Sequence, residues 1–139
     1  VDIFLKHYFE SPRIAELPQP LQASVFDMQV NAGGNAIKIL QRPPNKMGQR
    51  VSVDGALGPQ SIAALARAMT DAPEVFVDAY GIERRNYYYA IGDRRPASRK
   101  YARRRDGGKG GWILRAAEFI SKRYRLRAAE HKRRIAAWG

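Results

Sequence analysis

The chain has no cysteine. That removes a disulfide scaffold, a thiolate zinc site and a cysteine nucleophile together. Its two histidines, His7 and His131, lie at opposite ends of the sequence, and neither has a matched second ligand. Each reads as a surface or rim histidine, so the sequence implies no metal, and it implies no cofactor. No apolar run approaches the ~20 residues needed to span a bilayer. No glycine-rich phosphate loop follows a strand, so nucleotide binding has no support. Ser24 lies on a helix face rather than at a strained turn, which argues against a serine nucleophile. The opening residues carry neither a basic region nor a small-residue cleavage site, so they are not a signal peptide. There is no internal repeat.

What is present is a globular mix: 139 residues, 45% hydrophobic and 27% charged. A chain of that length buries roughly two-thirds of its unfolded surface and supports a core without staples. The formal charge of +12 is lopsided. Residues 94–139 hold 16 basic and 3 acidic side chains, whereas residues 1–93 hold 9 basic and 10 acidic. Such asymmetry favours an anionic partner: nucleic acid, anionic lipid or an acidic wall polymer.

The apolar spacing predicts an all-α domain of about six helices with at most one tiny β element. Residues 1–10 read as helix, opening in mid-pattern at Val1, so we expect further chain before it; Ser11-Pro12 closes it. Leu21, Val25, Met28 and Ala32, with Phe26 and Val30 beside them, make a wide stripe closed by Gly33-Gly34. Asn35 caps a short helix Ala36–Gln41, ended by Pro43-Pro44. Residues 43–58 are turn-rich, with Val51-Ser52-Val53 as the one candidate extended pair. Pro59 starts a helix with Ile62, Leu65, Ala66 and Met69 inward. Asp71-Ala72-Pro73-Glu74 has capping-box spacing and opens a helix running to Gly92-Asp93. Gly107–Gly111 reads as a flexible hinge or lid. Trp112 to about Trp138 reads as one long helix, whose polar last third projects or packs on a partner chain.

Several residues carry candidate chemistry, each with two readings. Asp27 sits in an apolar helix with Asn31 four residues on, hence on one face. With Ser24 and Phe26 this strip makes a polar floor for sugar hydroxyls, or else it simply faces water. Tyr87-Tyr88-Tyr89 and Trp112 are stacking platforms or core. Arg94-Arg95, Arg99-Lys100 and Arg103-Arg104-Arg105 contact phosphates or form a solvated face; they lack the single stripe of a recognition helix.

The stretch Leu21–Gly33, with Phe26-Asp27-x-x-Val30-Asn31 at its centre, resembles the second half of the hydrolase domain of glycoside hydrolase family 108. Those are lysozyme-like N-acetylmuramidases of phage and Gram-negative bacteria, endolysins and secretion activator proteins among them. Asp54-Gly55-Ala56-Leu57-Gly58-Pro59 is similar to the opening of the peptidoglycan-binding domain that follows it, as are Arg84–Tyr88 and Gly110–Arg115. The resemblance implies a lysozyme-like hydrolase part over 1–42, a peptidoglycan-binding helical domain over 43–125, and a basic helical extension over 126–139. It implies glycan-strand hydrolysis by a general-acid Glu in a Glu-Gly-Gly-Tyr motif. None of the chain's six Glu is followed by Gly-Gly, so no catalytic residue is assigned and the chain alone is expected to be inactive. Asp27, Asn31, Phe26 and Tyr8 are the expected substrate contacts, and Asp54, Gly55 and Gly58 the expected peptidoglycan-binding motif. The implied partner is the peptidoglycan glycan strand, in the periplasm or wall, after holin-type release from the cytoplasm. Anionic-surface contact and self-association through the C-terminal helix are further expectations. A non-catalytic wall-binding or export-assisting protein is the alternative, and a nucleic-acid binder the third.

Overall fold

The computed structural model describes residues 14–46, 51–71 and 73–139. The expected helix over 1–10 and the expected capping box at Asp71–Glu74 fall on or across residues outside that set. Among the described residues the protein is all-α, with seven α-helices and no strand. It divides into two compact units, one ending at Tyr80 and one beginning at Gly81.

In the first unit a 3-10 turn, Ile14–Glu16, leads into α1, Gln19–Ala32. Pro20 sits in the first turn of α1, where a missing N–H leaves no hydrogen bond unmade. Gln22 Nε2 donates to the Leu17 carbonyl at 2.9 Å, tying the helix to the turn before it. Leu21, Val25 and Met28, spaced by four and three, are fully buried with Ile14 and Leu17. Gly33 ends α1 at φ 59° with its N–H on the Gln29 carbonyl. α2, Asn35–Lys46, buries Ala36, Ile37, Ile39 and Leu40. It runs on through Pro43-Pro44 rather than ending there. Proline's fixed φ is already helical, so the chain keeps its path while losing the donors that would reach back one turn. α3, Pro59–Asp71, points Ser61, Ala64, Leu65, Ala68 and Met69 inward. The buried face is thus rotated from the expected one: Ala66 is exposed and Ile62 half-buried. α4, Pro73–Arg94, supplies Phe76 and Tyr80 to this core. The Tyr80 hydroxyl donates to the Ala36 carbonyl at 3.2 Å, so a buried polar atom has a partner.

The second unit begins inside α4. It continues through a 3-10 turn, Pro96–Ser98, then α5, Arg99–Ala102, and α6, Gly111–Ala117. A 3-10 turn at Lys122–Tyr124, α7 at Ala128–Arg134 and a last 3-10 turn at Ala136–Trp138 complete it. The single long helix expected from Trp112 to Trp138 is therefore corrected to short pieces. Ser121 and Arg127 adopt extended backbone before the next pieces, and the Arg127 N–H is capped by Glu130 Oε1 at 2.8 Å. The last third does not project, because His131, Ile135 and Trp138 are all buried. The Trp138 ring packs against Gly92, where a β-carbon would lie 2.4 Å from the ring, and Nε1 donates to Asp93 Oδ1 at 2.8 Å.

The glycine-rich segment is a built turn rather than a hinge. Arg103 and Lys109 form an isolated antiparallel bridge, which is the tiny β element; Val51–Val53 form none. Arg104 N–H bonds the Gly108 carbonyl, and Asp106 Oδ1 accepts from the Gly108 N–H at 2.8 Å.

Candidate functional site

In the first unit the Asp-Gly-x-x-Gly-Pro stretch folds around a side chain that sequence reasoning passed over. Gln41, at the inner face of α2, is fully buried. Its Oε1 accepts from the Asp54 N–H at 3.1 Å and the Gly55 N–H at 3.0 Å. Its Nε2 donates to the Ala56 carbonyl at 2.8 Å, Asp54 Oδ1 at 3.1 Å and Ser61 Oγ at 3.2 Å. Asp54 Oδ1 also accepts from the Ala56 N–H at 3.0 Å. These bonds stabilise the carboxylate, with Ala56 first and Gln41 next, and hold its pKa below the usual value. Gly55 stands at φ 80°, where an L side chain is strained, with Lys38 against it. Gly58 precedes Pro59, and its carbonyl accepts from the Ile62 N–H at 3.1 Å, the first link of α3. Asp54, Gly55 and Gly58 are thus brought together in one loop that joins α2 to α3. Gln41 continues the buried face of Ile37 and Leu40, but an amide adds nothing to an apolar stripe, so periodicity gives it no signal.

The sugar-floor candidates lie on α1. Asp27 and Phe26 are half-buried and Asn31 is exposed. Asn31 Nδ2 donates to the Asp27 backbone carbonyl at 3.2 Å. Ser24, at the same helix, is buried. Tyr8 falls outside the described residues.

The second unit carries the basic residues, and many of them act internally. Arg99 donates to the Gly92 carbonyl at 2.7 Å and the Trp138 carbonyl at 3.1 Å. Arg85 reaches the Tyr124 carbonyl at 3.1 Å, Arg125 the Ile120 carbonyl at 2.9 Å, and Arg103 the Gly139 carbonyl at 3.0 Å. Arg134 grips Asp93 with two bonds of 3.1 and 2.8 Å and lies over the Tyr89 ring. That pairing holds Asp93 below the usual carboxylate range. Arg84, fully buried, lies between the Tyr88 and Phe119 rings. Tyr88 and Tyr89 are core residues. Trp112 is sandwiched by Tyr88 at 4.9 Å and Tyr101 at 5.0 Å, so both its faces are covered. The rings left open to solvent are Tyr101 and Tyr124, each with a cation against it.

Around this frame lies an open basin of about 920 Å³ walled by Arg99, Lys100, Arg103, Arg104, Arg105 and Lys132, with Asp106 its acidic residue. Asp106 pairs with Arg104 at 2.5 Å. The basin suits an anion by charge and has no acid–base pair arranged to cut a bond. His131 is buried, contrary to the rim position expected of it, and shares a hydrogen bond of 2.6 Å between Nδ1 and the Tyr89 hydroxyl. Burial, with the Lys109 charge acting the same way, holds its pKa below the usual histidine value, against the opposing pull of the Gly108 and Gly107 carbonyls.

Residues 35–117 match the family model described as a predicted peptidoglycan domain. The chain belongs to that family. Residues 1–33 match a second model, glycosyl hydrolase 108. No curated protein and no solved structure matches the chain. The peptidoglycan-domain segment takes in Gln41, the loop it organises and the basic run through Arg105, as well as the Trp112 stack; His131 and Trp138 lie beyond it. Phe26, Asp27 and Asn31 fall in the hydrolase-matching segment. Among the described residues, no helix is long and apolar enough to cross a membrane.

Proposed function

We propose that this chain is the wall-binding part of a peptidoglycan hydrolase of the glycoside hydrolase 108 type, and that it holds peptidoglycan without cutting it. The match over 35–117 carries the reading. The Gln41-centred loop supports it, because the residues of the family-like Asp-Gly turn serve one another there as a unit. In this reading residues 1–42 belong to the hydrolase part, 43–125 bind the wall, and 126–139 close the basic end. Phe26, Asp27 and Asn31 on α1 contact the glycan strand, and Tyr8 is assigned to the same role. General-acid cleavage needs a carboxyl group kept protonated in an apolar cleft. None of the six Glu in the chain stands in the Glu-Gly-Gly-Tyr setting, so cleavage is assigned to none of them. An endolysin or secretion-activator role, in the periplasm or wall after holin-type release, belongs to the same reading. Self-association through the tail loses its motive, since His131, Ile135 and Trp138 already face inward.

The test is sedimentation of the chain with purified insoluble peptidoglycan. Retention in the pellet at about 0.5 M salt, where loose charge attraction is screened, is the expected result. Retention that vanishes at that salt overturns it. No fall in turbidity of the wall suspension is expected, and lysis by the chain would overturn the non-cutting half of the proposal. Duplex DNA displacing the wall at physiological salt would make nucleic acid the partner instead.

A further inference from the structure

The basin of the second unit, at about 920 Å³, is within the size range of small-ligand sites. The wall-binding reading gives it no ligand. Nor is it confined to the family-matched segment, since Lys132, Ile135 and Ala136 line it from beyond residue 117.

Its six cations differ in what holds them. Arg104 is paired with Asp106, the one carboxylate side chain of the wall. Arg99 donates from Nε to the Gly92 carbonyl and from Nη1 to the Trp138 carbonyl. Arg103 donates from Nη1 to the Gly139 carbonyl. Both guanidinium groups lie over the Trp138 ring, 5.4 and 5.6 Å from its centre. A guanidinium has five N–H donors, so these bonds fix each group in place and still leave donors over. Planar forks of this kind match phosphate oxygens in pairs, and they are already ordered before a ligand arrives. Lys100, Arg105 and Lys132 are exposed and make no hydrogen bond or ion pair among the described residues.

Charge and shape select the ligand. With Arg104 set against Asp106, five cations remain around one concavity, which focuses their potential. One phosphate group carries about −2 at neutral pH and balances fewer than half of them; two come close. A duplex nucleic acid presents its phosphates along a convex rod, which suits a ridge or a long groove better than a basin. Pro96, Ala97 and Ala136 add uncharged surface beside the cations, where the carbon body bearing the phosphates can rest.

We propose that this basin binds a compact anion carrying two neighbouring phosphate groups, with Arg99 and Arg103 as fixed forks and Lys100, Arg105 and Lys132 contacting the phosphates from the rim. Paired phosphates of this kind occur in a soluble diphosphate and on a lipid headgroup at a bilayer surface. The ligand is chosen by charge and shape, so the proposal does not depend on the wall-binding reading. It gives the basic unit a partner other than the glycan strand.

The test is calorimetric titration of the full 139-residue chain with inorganic pyrophosphate and, separately, with inorganic phosphate, at physiological salt and without divalent cations. Pyrophosphate should bind at least about tenfold more tightly than phosphate, and it should raise the thermal midpoint. Lys100→Gln, Arg105→Gln and Lys132→Gln, all at exposed positions, should each weaken it by about three- to tenfold. Lys122→Gln removes the same charge outside the basin and should change it by less than about twofold. Equal affinity for phosphate and pyrophosphate, or a loss in Lys122→Gln as large as in Lys132→Gln, overturns the proposal. Tighter binding of a short DNA duplex than of pyrophosphate, unaffected by the three basin variants, also overturns it. Flotation with phosphatidylcholine vesicles then separates the two sources. Greater retention by vesicles containing cardiolipin than by vesicles containing phosphatidylglycerol at equal surface charge assigns the site to a headgroup. Equal retention, with pyrophosphate still bound, assigns it to a soluble diphosphate.

Discussion

The two units of this molecule are built from different materials. The first, up to Tyr80, has seven basic and eight acidic residues; the second has eighteen and five. The first is held by aliphatic side chains at helical spacing, with one polar knot around Gln41. The second has short helices, and short helices leave carbonyls without intrahelical partners. Arginines supply those partners: Arg85, Arg99, Arg103 and Arg125 each donate to a backbone carbonyl. The planar guanidinium also lies over Tyr88, Tyr89, Phe119 and Trp138. A basic segment is therefore not simply a binding face. Much of this one is internal mortar, and the cations left for a ligand are few.

The contrast can be broken most strongly at Trp138. Trp138→Ala removes a buried ring and the Asp93 hydrogen bond, and should cost about 3–5 kcal/mol. Hydrogen exchange should show the loss between Gly81 and Gly139, with the Leu21–Leu40 core still protected. Equal loss of protection in both units would mean that they are not separate cooperative bodies. The matching cut in the first unit is Gln41→Ala. It leaves the Asp54 and Gly55 N–H groups without their acceptor and should cost roughly 2–3 kcal/mol, discounted because the loop reaches solvent. Denaturant unfolding with exchange read at residues 51–65 would check it.

A smaller effect is expected from acid. His131 is held below its ordinary value of 6.5, so between the two values the unfolded chain binds the extra proton and the folded one does not. Stability is therefore complete above about pH 6.5 and falls as pH drops through the folded value. Asp93, depressed by Arg134, acts in the same direction below 3.8. The thermal midpoint should decline from pH 7 to 5 in the wild type, and more shallowly in His131→Gln. A flat wild-type profile over that interval would remove the buried-histidine account. The smallest effect is expected at Arg134→Gln. The Arg134–Asp93 pair is partly exposed, so its loss should cost about 1 kcal/mol or less despite its two-pronged geometry. A larger cost by calorimetry would mean that the mortar acts as a network.

How much of this was legible in the sequence follows the same division. Leu21, Val25 and Met28 announced α1 by spacing, and Gly33 and Pro59 marked where helices stop and start. The all-α class followed from such patterns. The second unit defeated the same reasoning at Trp112–Trp138. Its apolar residues are sparse, and His131, Ile135 and Trp138 repeat at four and then three, as one continuous helix would. What breaks the chain there is extended backbone at Ser121 and Arg127, and neither is a proline or glycine. His131 was misread for a related reason: polar neighbours on both sides conceal a residue whose burial depends on Tyr89, 42 positions earlier. At the candidate site the Asp-Gly turn was visible, but its organiser was not, because a glutamine's long-range bonds leave no mark on local composition.

The Trp112 sandwich has a practical consequence. Both tryptophans of the chain lie beyond Gly81, one between two tyrosines and the other beneath arginines. Intrinsic emission excited at the indole band therefore illuminates only the basic half, while the aliphatic half stays dark. A melt followed by that light and one followed by helical ellipticity need not coincide, and the gap between them would measure how independently the halves come apart.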